Sequence, residues 1–313
     1  MNICLIGCWD SKGEEYAYLA DQLSQEGHEL WNINIGVLGV CHKTTVGKVD
    51  LSIERLIDRP TLDKLRRQKV RTKAMQVFRE TLPHALELAC SALSFDYVIG
   101  MAGSTGTPLI LDCMRALKAQ QKLCITTISP QLTPTLLYGD VFMIPSICDI
   151  AGIHNPIFIA LVRFVCHYLS NDYDALGIAQ WLQREMGRAK EKDLLPYLIE
   201  FMRKLDVFSS LEYNQEKLVG ITMFGNTNEC VERCMVQLQY FGYTPLVFHA
   251  TGIGGRVLAY LVEMGYLTGG VLNITMAEVS NWVGAGVFAA PPACLEAPLK
   301  KGIPVIWCCG CVD

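Results

Sequence analysis

Ile3-Cys4-Leu5-Ile6-Gly7-Cys8-Trp9-Asp10-Ser11-Lys12-Gly13-Glu14-Glu15-Tyr16-Ala17-Tyr18-Leu19-Ala20 opens the chain, and its change of hydrophobic period decides the fold. Ile3 to Gly7 is an uninterrupted apolar run, the composition of a strand buried on both faces of a parallel sheet. A polar turn follows, with Ser11 and Glu14 at the spacing of a capping box, in which each side chain satisfies an orphan donor at a helix start. Tyr16, Leu19, Ala20 and Leu23 recur at i, i+3, i+4, i+7, one apolar stripe of a helix, and Gly27 supplies a stop. Leu30 to Ile35 is the next strand, ending at Gly36. A strand, a helix and a second strand of this kind imply a crossover and parallel pairing.

The same pattern recurs at a constant offset of 215 residues. Leu218 to Met223 is apolar and extended, and Asn226 and Glu229 stand where Ser11 and Glu14 stood. Val231, Cys234, Met235 and Leu238 form the helical stripe, Gly242 the stop, and Pro245 to His249 the next strand. The offset points to two similar domains; two independent units of one kind are the alternative. Between them lie a long amphipathic helix over Thr72–Ala92, strands at Tyr97–Met101, Leu123–Ile128 and Val141–Ile144, and a helix from Thr107 to about Lys118. Asn171–Glu216 is charged, helix-favouring and free of strand signals, which suits a helical linker or insertion holding the domain boundary. The expected fold is α/β: two Rossmann-like open parallel-sheet domains joined by a helical linker, over 1–185 and 186–313.

With 313 residues the chain is long for a single core, and 51% apolar residues are enough to bury two. A net charge of −4, with both signs dispersed, gives no basic footprint for nucleic acid. Pro156–Leu169 is the longest apolar stretch, carries Arg163 and His167, and is too short to span a bilayer. The first residues have neither a basic n-region nor a small-residue cleavage site, so no signal peptide is expected there. Fourteen cysteines are scattered through apolar runs such as those of Cys4, Cys124, Cys148 and Cys166, the pattern of buried thiols in a reducing cytoplasm. Cys308, Cys309 and Cys311 cluster, but without a second ligand pair at zinc spacing.

In open parallel sheets ligands sit beyond the carboxyl ends of the strands, where the strand order reverses. Two turns of the first domain occupy such ends. At Asp10-Ser11-Lys12-Gly13, helix amides would face phosphate oxygens, Lys12 would add a cation, and Asp10 would hold Mg2+. The alternative is an ordinary helix cap with a solvated lysine. At Gly103-Ser104-Thr105-Gly106-Thr107, glycines let backbone approach an anion and hydroxyls stand beside the helix start. This turn is neither a Walker A loop nor a G-x-G-x-x-G fingerprint, and a tight strand-to-helix turn is its plainer reading. In the second domain His249 is a candidate acid–base group, Arg256 an anion clamp and Glu278 a third polar group, each with a structural alternative. Loops at one sheet edge would converge these three on one cleft.

The turns resemble those of the Tm-1-like ATP-binding family. The matching runs are Ile6–Glu15, Gly100–Thr107, Pro145–Gly152, Thr222–Gly225, Phe248–Arg256 and Ile274–Val279, in family order over nearly the whole chain. The resemblance implies two Rossmann-like domains, a homodimer, and ATP with Mg2+ in the first domain. Carried over by position, the contacts would be Asp10, Ser11, Lys12 and Gly103 to Gly106. It also implies that the second domain is incomplete at its C-terminus. Thr105 departs from the family's Gly-Gly-Ser-Gly-Gly loop, and Asn273 to Glu278 from its usual Asp-Ile-Thr-Thr-Thr-Glu. Two roles follow as expectations. One is an ATP-binding protein whose nucleotide regulates a dimer or a protein partner. The other is an ATP-dependent enzyme acting on a small anion near His249, Arg256 and Glu278.

Overall fold

The computed structural model describes residues 1–37, 49–68, 71–103, 105–127, 140–186, 194–286 and 288–312. In chain order it first forms β1 (Asn2–Gly7), α1 (Gly13–Gln25), β2 (Glu29–Asn34), β3 (Leu51–Ser52), α2 (Ile53–Leu56), α3 (Arg59–Gln68), α4 (Arg71–Ala89), β4 (Phe95–Ala102), α5 (Thr107–Ala116), β5 (Ala119–Thr126) and β6 (Val141–Pro145). Then come α6 (Pro156–Leu169), α7 (Tyr173–Met186), α8 (Leu194–Lys204) and α9 (Val207–Asn214). The remainder forms β7 (Leu218–Met223), α10 (Asn228–Tyr240), β8 (Thr244–His249), α11 (Ile253–Glu263), β9 (Gly270–Thr275), α12 (Ala277–Val283), α13 (Ala293–Lys300) and β10 (Val305–Gly310). Two compact units emerge: Met1–Pro145 with Val165–Ser170, and Ser146–Phe164 with Asn171–Asp313. No helix among the described residues is long and apolar enough to cross a membrane.

Each unit is built on a parallel sheet, as expected of Rossmann-like domains. The first has the order β3-β2-β1-β4-β5-β6 and the second β10-β9-β7-β8. The repeated pattern is therefore structural: β1 and β7 are both interior strands, each flanked by the strand that follows it in the repeat. Asn171–Glu216 holds α7, α8 and α9 and no strand among its described residues. Ile128, given to the fifth strand by the sequence, lies outside the described residues, and β5 instead begins earlier, at Ala119.

Neither capping box forms. The amides of Ser11 and Lys12 both donate to the Cys8 carbonyl, at 3.2 and 3.0 Å, and this tight turn moves the start of α1 to Gly13. Lys12 becomes the N-cap, with no side-chain cap bond. In the second unit a 3-10 turn over Gly225–Thr227 intervenes, and the Phe224 amide donates to Thr227 Oγ1 at 3.0 Å, so Asn226 is not the cap. Val305–Gly310, which carries Cys308 and Cys309, is an edge strand, β10.

The apolar stripe of α1 is buried as its period requires, and Tyr16 does more than fill space. Ladder pairing between β1 and β4 ends at Ile6 opposite Gly100. Beyond that point the phenol enters: it lies 2.7 Å from the Ile6 carbonyl and 2.9 Å from the Met101 carbonyl, and accepts the Met101 amide at 2.7 Å. Burial pushes the phenol well above its usual range and keeps it a donor. Gly7 is glycine because a Cβ there would stand 1.8 Å from the Tyr16 hydroxyl oxygen. Trp9 stacks on the same ring, centroids 5.1 Å apart. Tyr16→Phe strands buried backbone groups of both strands, so urea unfolding is expected to show a loss of about 1–3 kcal/mol.

Candidate functional site

Strands β1 and β4 are neighbours, but the chain leaves β1 toward β2 on one side and β4 toward β5 on the other. Their carboxyl ends thus flank the point where strand order reverses, the usual ligand crevice of this architecture. The two turns singled out in the first domain, Asp10–Lys12 and Gly103–Thr107, both lie at this edge.

Asn34 organises the first turn. It is fully buried at the end of β2, and its Oδ1 accepts the amides of Trp9 at 3.1 Å and Gly36 at 2.8 Å. Asp10 lies over Gly36, where a Cβ would stand 2.2 Å from the Asp10 carboxyl carbon. Ser11 is exposed, with its hydroxyl 3.4 Å from the Cys8 carbonyl. Glu14 and Glu15 occupy the first turn of α1, so negative charge already stands at this helix start.

The second turn is held from beneath. Thr107 is fully buried, its hydroxyl 3.0 Å from the Gly103 carbonyl and 2.7 Å from Thr126 Oγ1, and the amides of Gly106 and Thr107 donate to the Gly103 carbonyl. Thr107 therefore fastens the turn and does not face outward. Thr105 is exposed, and Ser104 lies outside the described residues. Neither glycine has a positive φ, and among the described residues a Cβ would meet nothing nearer than 4.0 Å at Gly103 or 3.6 Å at Gly106. The fold itself does not demand glycine at either position. No acidic residue stands in the first turn of α5.

Three side-chain polar atoms near this edge are buried without a hydrogen-bond partner: Trp9 Nε1 after β1, Asn34 Nδ2 at the end of β2, and Thr127 Oγ1 after β5. All can donate, which suits an acceptor-rich ligand. Among the described residues no group of three or more His, Cys, Asp or Glu is arranged to hold a metal ion.

In the second unit the strand order reverses between β7 and β9, and the small cavity that Glu278 borders is bordered by neither His249 nor Arg256. Glu278 is buried, and its Oε1 accepts the amides of Gly252 at 2.7 Å and Gly255 at 3.0 Å. The carboxylate caps the start of α11, so this helix start already holds one of the chain's own acids. Gly255 leaves it room, since a Cβ would stand 2.0 Å from Glu278 Oε2. Beside it lies a cavity of about 20 Å³, room for one water, bordered by Thr222, Asn273, Thr275 and Cys294 but not by His249 or Arg256.

His249 Nε2 instead lies 3.1 Å from Asp149 Oδ1. Asp149 is buried, and its amide donates to the Val247 carbonyl at 2.7 Å, so this segment runs along the outer edge of β8. Just before it, Ile147 has φ of 69°, a strained value for a β-branched residue. No local pattern marks Asn34 or Asp149 as organising residues, because Trp9 and His249 lie 25 and 100 residues away from them.

Burial raises the Glu278 carboxyl from 4.5 to about 7, against the lowering effect of the two amide bonds. An acid raised in the folded state contributes stability below its unfolded pKa, and this is lost as pH rises through the folded value. Between pH 5 and pH 8 the wild type is therefore expected to lose about 3 kcal/mol relative to Glu278→Gln, which keeps an acceptor but no charge. Urea titrations of both proteins at the two pH values measure the difference.

Comparison with known proteins matches the chain in two parts. Residues 1–168 match the N-terminal domain, and 216–313 the C-terminal domain, of "Uncharacterised protein family (UPF0261)". A UPF0261 protein of Clostridium tetani is 30% identical over 315 residues, covering 99% of this chain and 69% of that protein. One from Mesorhizobium japonicum is 28% identical, covering 99% and 68%. The ToMV resistance protein Tm-1(GCR237) of Solanum lycopersicum is 32% identical over 246 residues, 78% of this chain and 29% of the tomato protein. Matched over both its halves, the chain belongs to the UPF0261 family, whose Tm-1-like character its turns suggested.

Proposed function

We propose that the first unit binds ATP with Mg2+ in the crevice between the β1 and β4 turns. The observation that carries this reading is the open second turn: Gly103 and Gly106 stand at the reversal point, beside a helix start without acids, in a turn the fold does not need to be glycine. Glycine there leaves backbone accessible to an anion. The three unpartnered donors at neighbouring strand ends support an acceptor-rich ligand.

Charge divides the work between the turns. The start of α5 suits the phosphates, whereas Glu14 and Glu15 disfavour bare phosphate at α1. Asp10, held over Gly36, fits a Mg2+ bound mainly by phosphate oxygens and water, which needs only one or two carboxylates. Bound there, the ion neutralises phosphate charge. Lys12, at the N-cap of α1, meets the phosphates from the other side. Thr107 positions the turn from beneath.

The nucleotide acts as an ordering ligand for a homodimer or a protein partner. Supporting this over turnover, Glu278 is committed to a helix start and His249 to Asp149. The name of the tomato relative, a ToMV resistance protein, is likewise that of a protein with a defensive role. A reducing cytoplasm suits the free thiols at the described cysteines.

Gly106→Val is expected to remove ATP binding while leaving the melting temperature without ligand nearly unchanged. Thermal shift with and without Mg2+ reads both quantities, since a ligand of the native state raises the melting point. Retained ATP affinity in the folded variant would overturn the site. Lys12→Ala is expected to weaken ATP about tenfold and adenosine hardly at all, with the gap narrowing at high salt. Equal losses for the two ligands in calorimetry would assign Lys12 a structural role.

A further inference from the structure

The second unit holds a larger cavity at the opposite end of its sheet. It measures about 430 Å³ and is bordered by Leu218 and Thr244, the first residues of β7 and β8. That volume lies within the range of small-molecule sites. Its polar lining comprises His154, Arg163, Ser209, Ser210, Tyr213 and Thr244, with no aspartate or glutamate. Pro156, Ile159 and Ala160, on the first turns of α6, give it an apolar wall.

Arg163 is the charge that interrupts the longest apolar stretch of the sequence. Its Nη2 donates to the Leu205 carbonyl at 3.1 Å, just past the end of α8, and among the described residues it forms no ion pair. This single tether orients the guanidinium while leaving its other N–H groups uncommitted. Ser209 is partly spent, since its hydroxyl donates to Asp206 at 2.6 Å. Among the described residues the side chains of Ser210, Tyr213 and His154 make no hydrogen bond, and Tyr213, 89% exposed, stands at the open mouth of the cavity. A planar cation fixed at one corner, hydroxyls on the facing helix and an apolar wall make a recognisable chemistry. It matches a head group with two or three equivalent oxygens on a compact apolar body.

We propose that this cavity binds a small organic anion, its carboxylate or phosphate head held by Arg163, Ser210 and Tyr213 and its body against Ile159 and Ala160. The site is separate from the proposed nucleotide crevice, and its ligand carries no base.

The test is a titration of the whole chain, at constant ionic strength, with inorganic phosphate in one arm and benzoate in the other, followed by NMR. Saturable shifts at Ser210 and Tyr213, with a Kd of about 1 mM or tighter, are expected in at least one arm. Phosphate alone would assign a phosphate head, and benzoate alone a carboxylate on an apolar body. Arg163→Gln is expected to weaken binding about tenfold, the loss of a bidentate charged contact. The double variant Ser210→Ala/Tyr213→Phe leaves the Leu205 tether intact and is expected to weaken it as well. Gly106→Val is expected to leave the response unchanged, which separates this site from the first. The absence of a saturable response in both arms, or equal affinity in the wild type and both cavity variants, would overturn the proposal.

Discussion

Where two parallel strands part, each leaves a carbonyl or an amide without a ladder partner, and in the first sheet the hydroxyl of Tyr16 takes up both. It reaches from α1 to Ile6 on β1, 10 positions away, and to Met101 on β4, 85 positions away. Without that insertion the strands would have either to keep pairing, closing the crevice, or to leave buried polar groups unsatisfied at a cost that few single contacts offset. Gly7 and the stacked Trp9 follow from it, the first to admit the phenol and the second to cover it. So does the placement of the Asp10–Lys12 turn, which begins three residues beyond Gly7, the last residue of β1.

The two units treat one piece of physical chemistry in opposite ways. A glycine-rich helix start concentrates unpaired amides and partial positive charge, and something negative settles there. In the second unit that something is Glu278, delivered from the turn after β9. Its burial costs enough to raise its pKa to about 7, so the protein gives up stability near neutral pH to keep this acid inside. In the first unit the corresponding position in the sheet, after β4, carries the Gly103–Thr107 turn instead. There the fastening is a neutral hydroxyl, Thr107, tied to Thr126. A neutral fastening leaves the helix start electrically open; a carboxylate closes it.

Periodicity made much of the fold legible. The β1–α1–β2 unit and its repeat stood out because buried parallel strands are continuous apolar runs and the following helices show a clean 3.6-residue stripe. The turns at the strand ends could be located for the same reason. What the sequence did not disclose was direction and partnership. Thr107 reads like Thr105, yet one is buried and the other exposed, and only the packing of α5 on β5 tells them apart. Glu278 reads as a surface charge at a helix start, whereas its amide partners lie more than twenty residues away. Asp149 finds His249 across 100 residues, a pairing no local pattern announces. The capping boxes failed because spacing alone cannot say where a tight turn ends and a helix begins.

One edge of the second sheet is lined by the segment carrying Asp149, but β10 at the other edge borders no further strand among the described residues. Its sequence, Val-Ile-Trp-Cys-Cys-Gly, has the composition of an interior strand, and Ile306 and Trp307 are 60% and 47% exposed. Soluble proteins blunt such edges with charges, prolines or bulges; β10 has an irregular register beyond Trp307 but no charge. In colloidal terms this chain carries a sticky seam. As its concentration rises, sheet edges will compete to find one another, and solubility will depend on how much of the time that seam is covered.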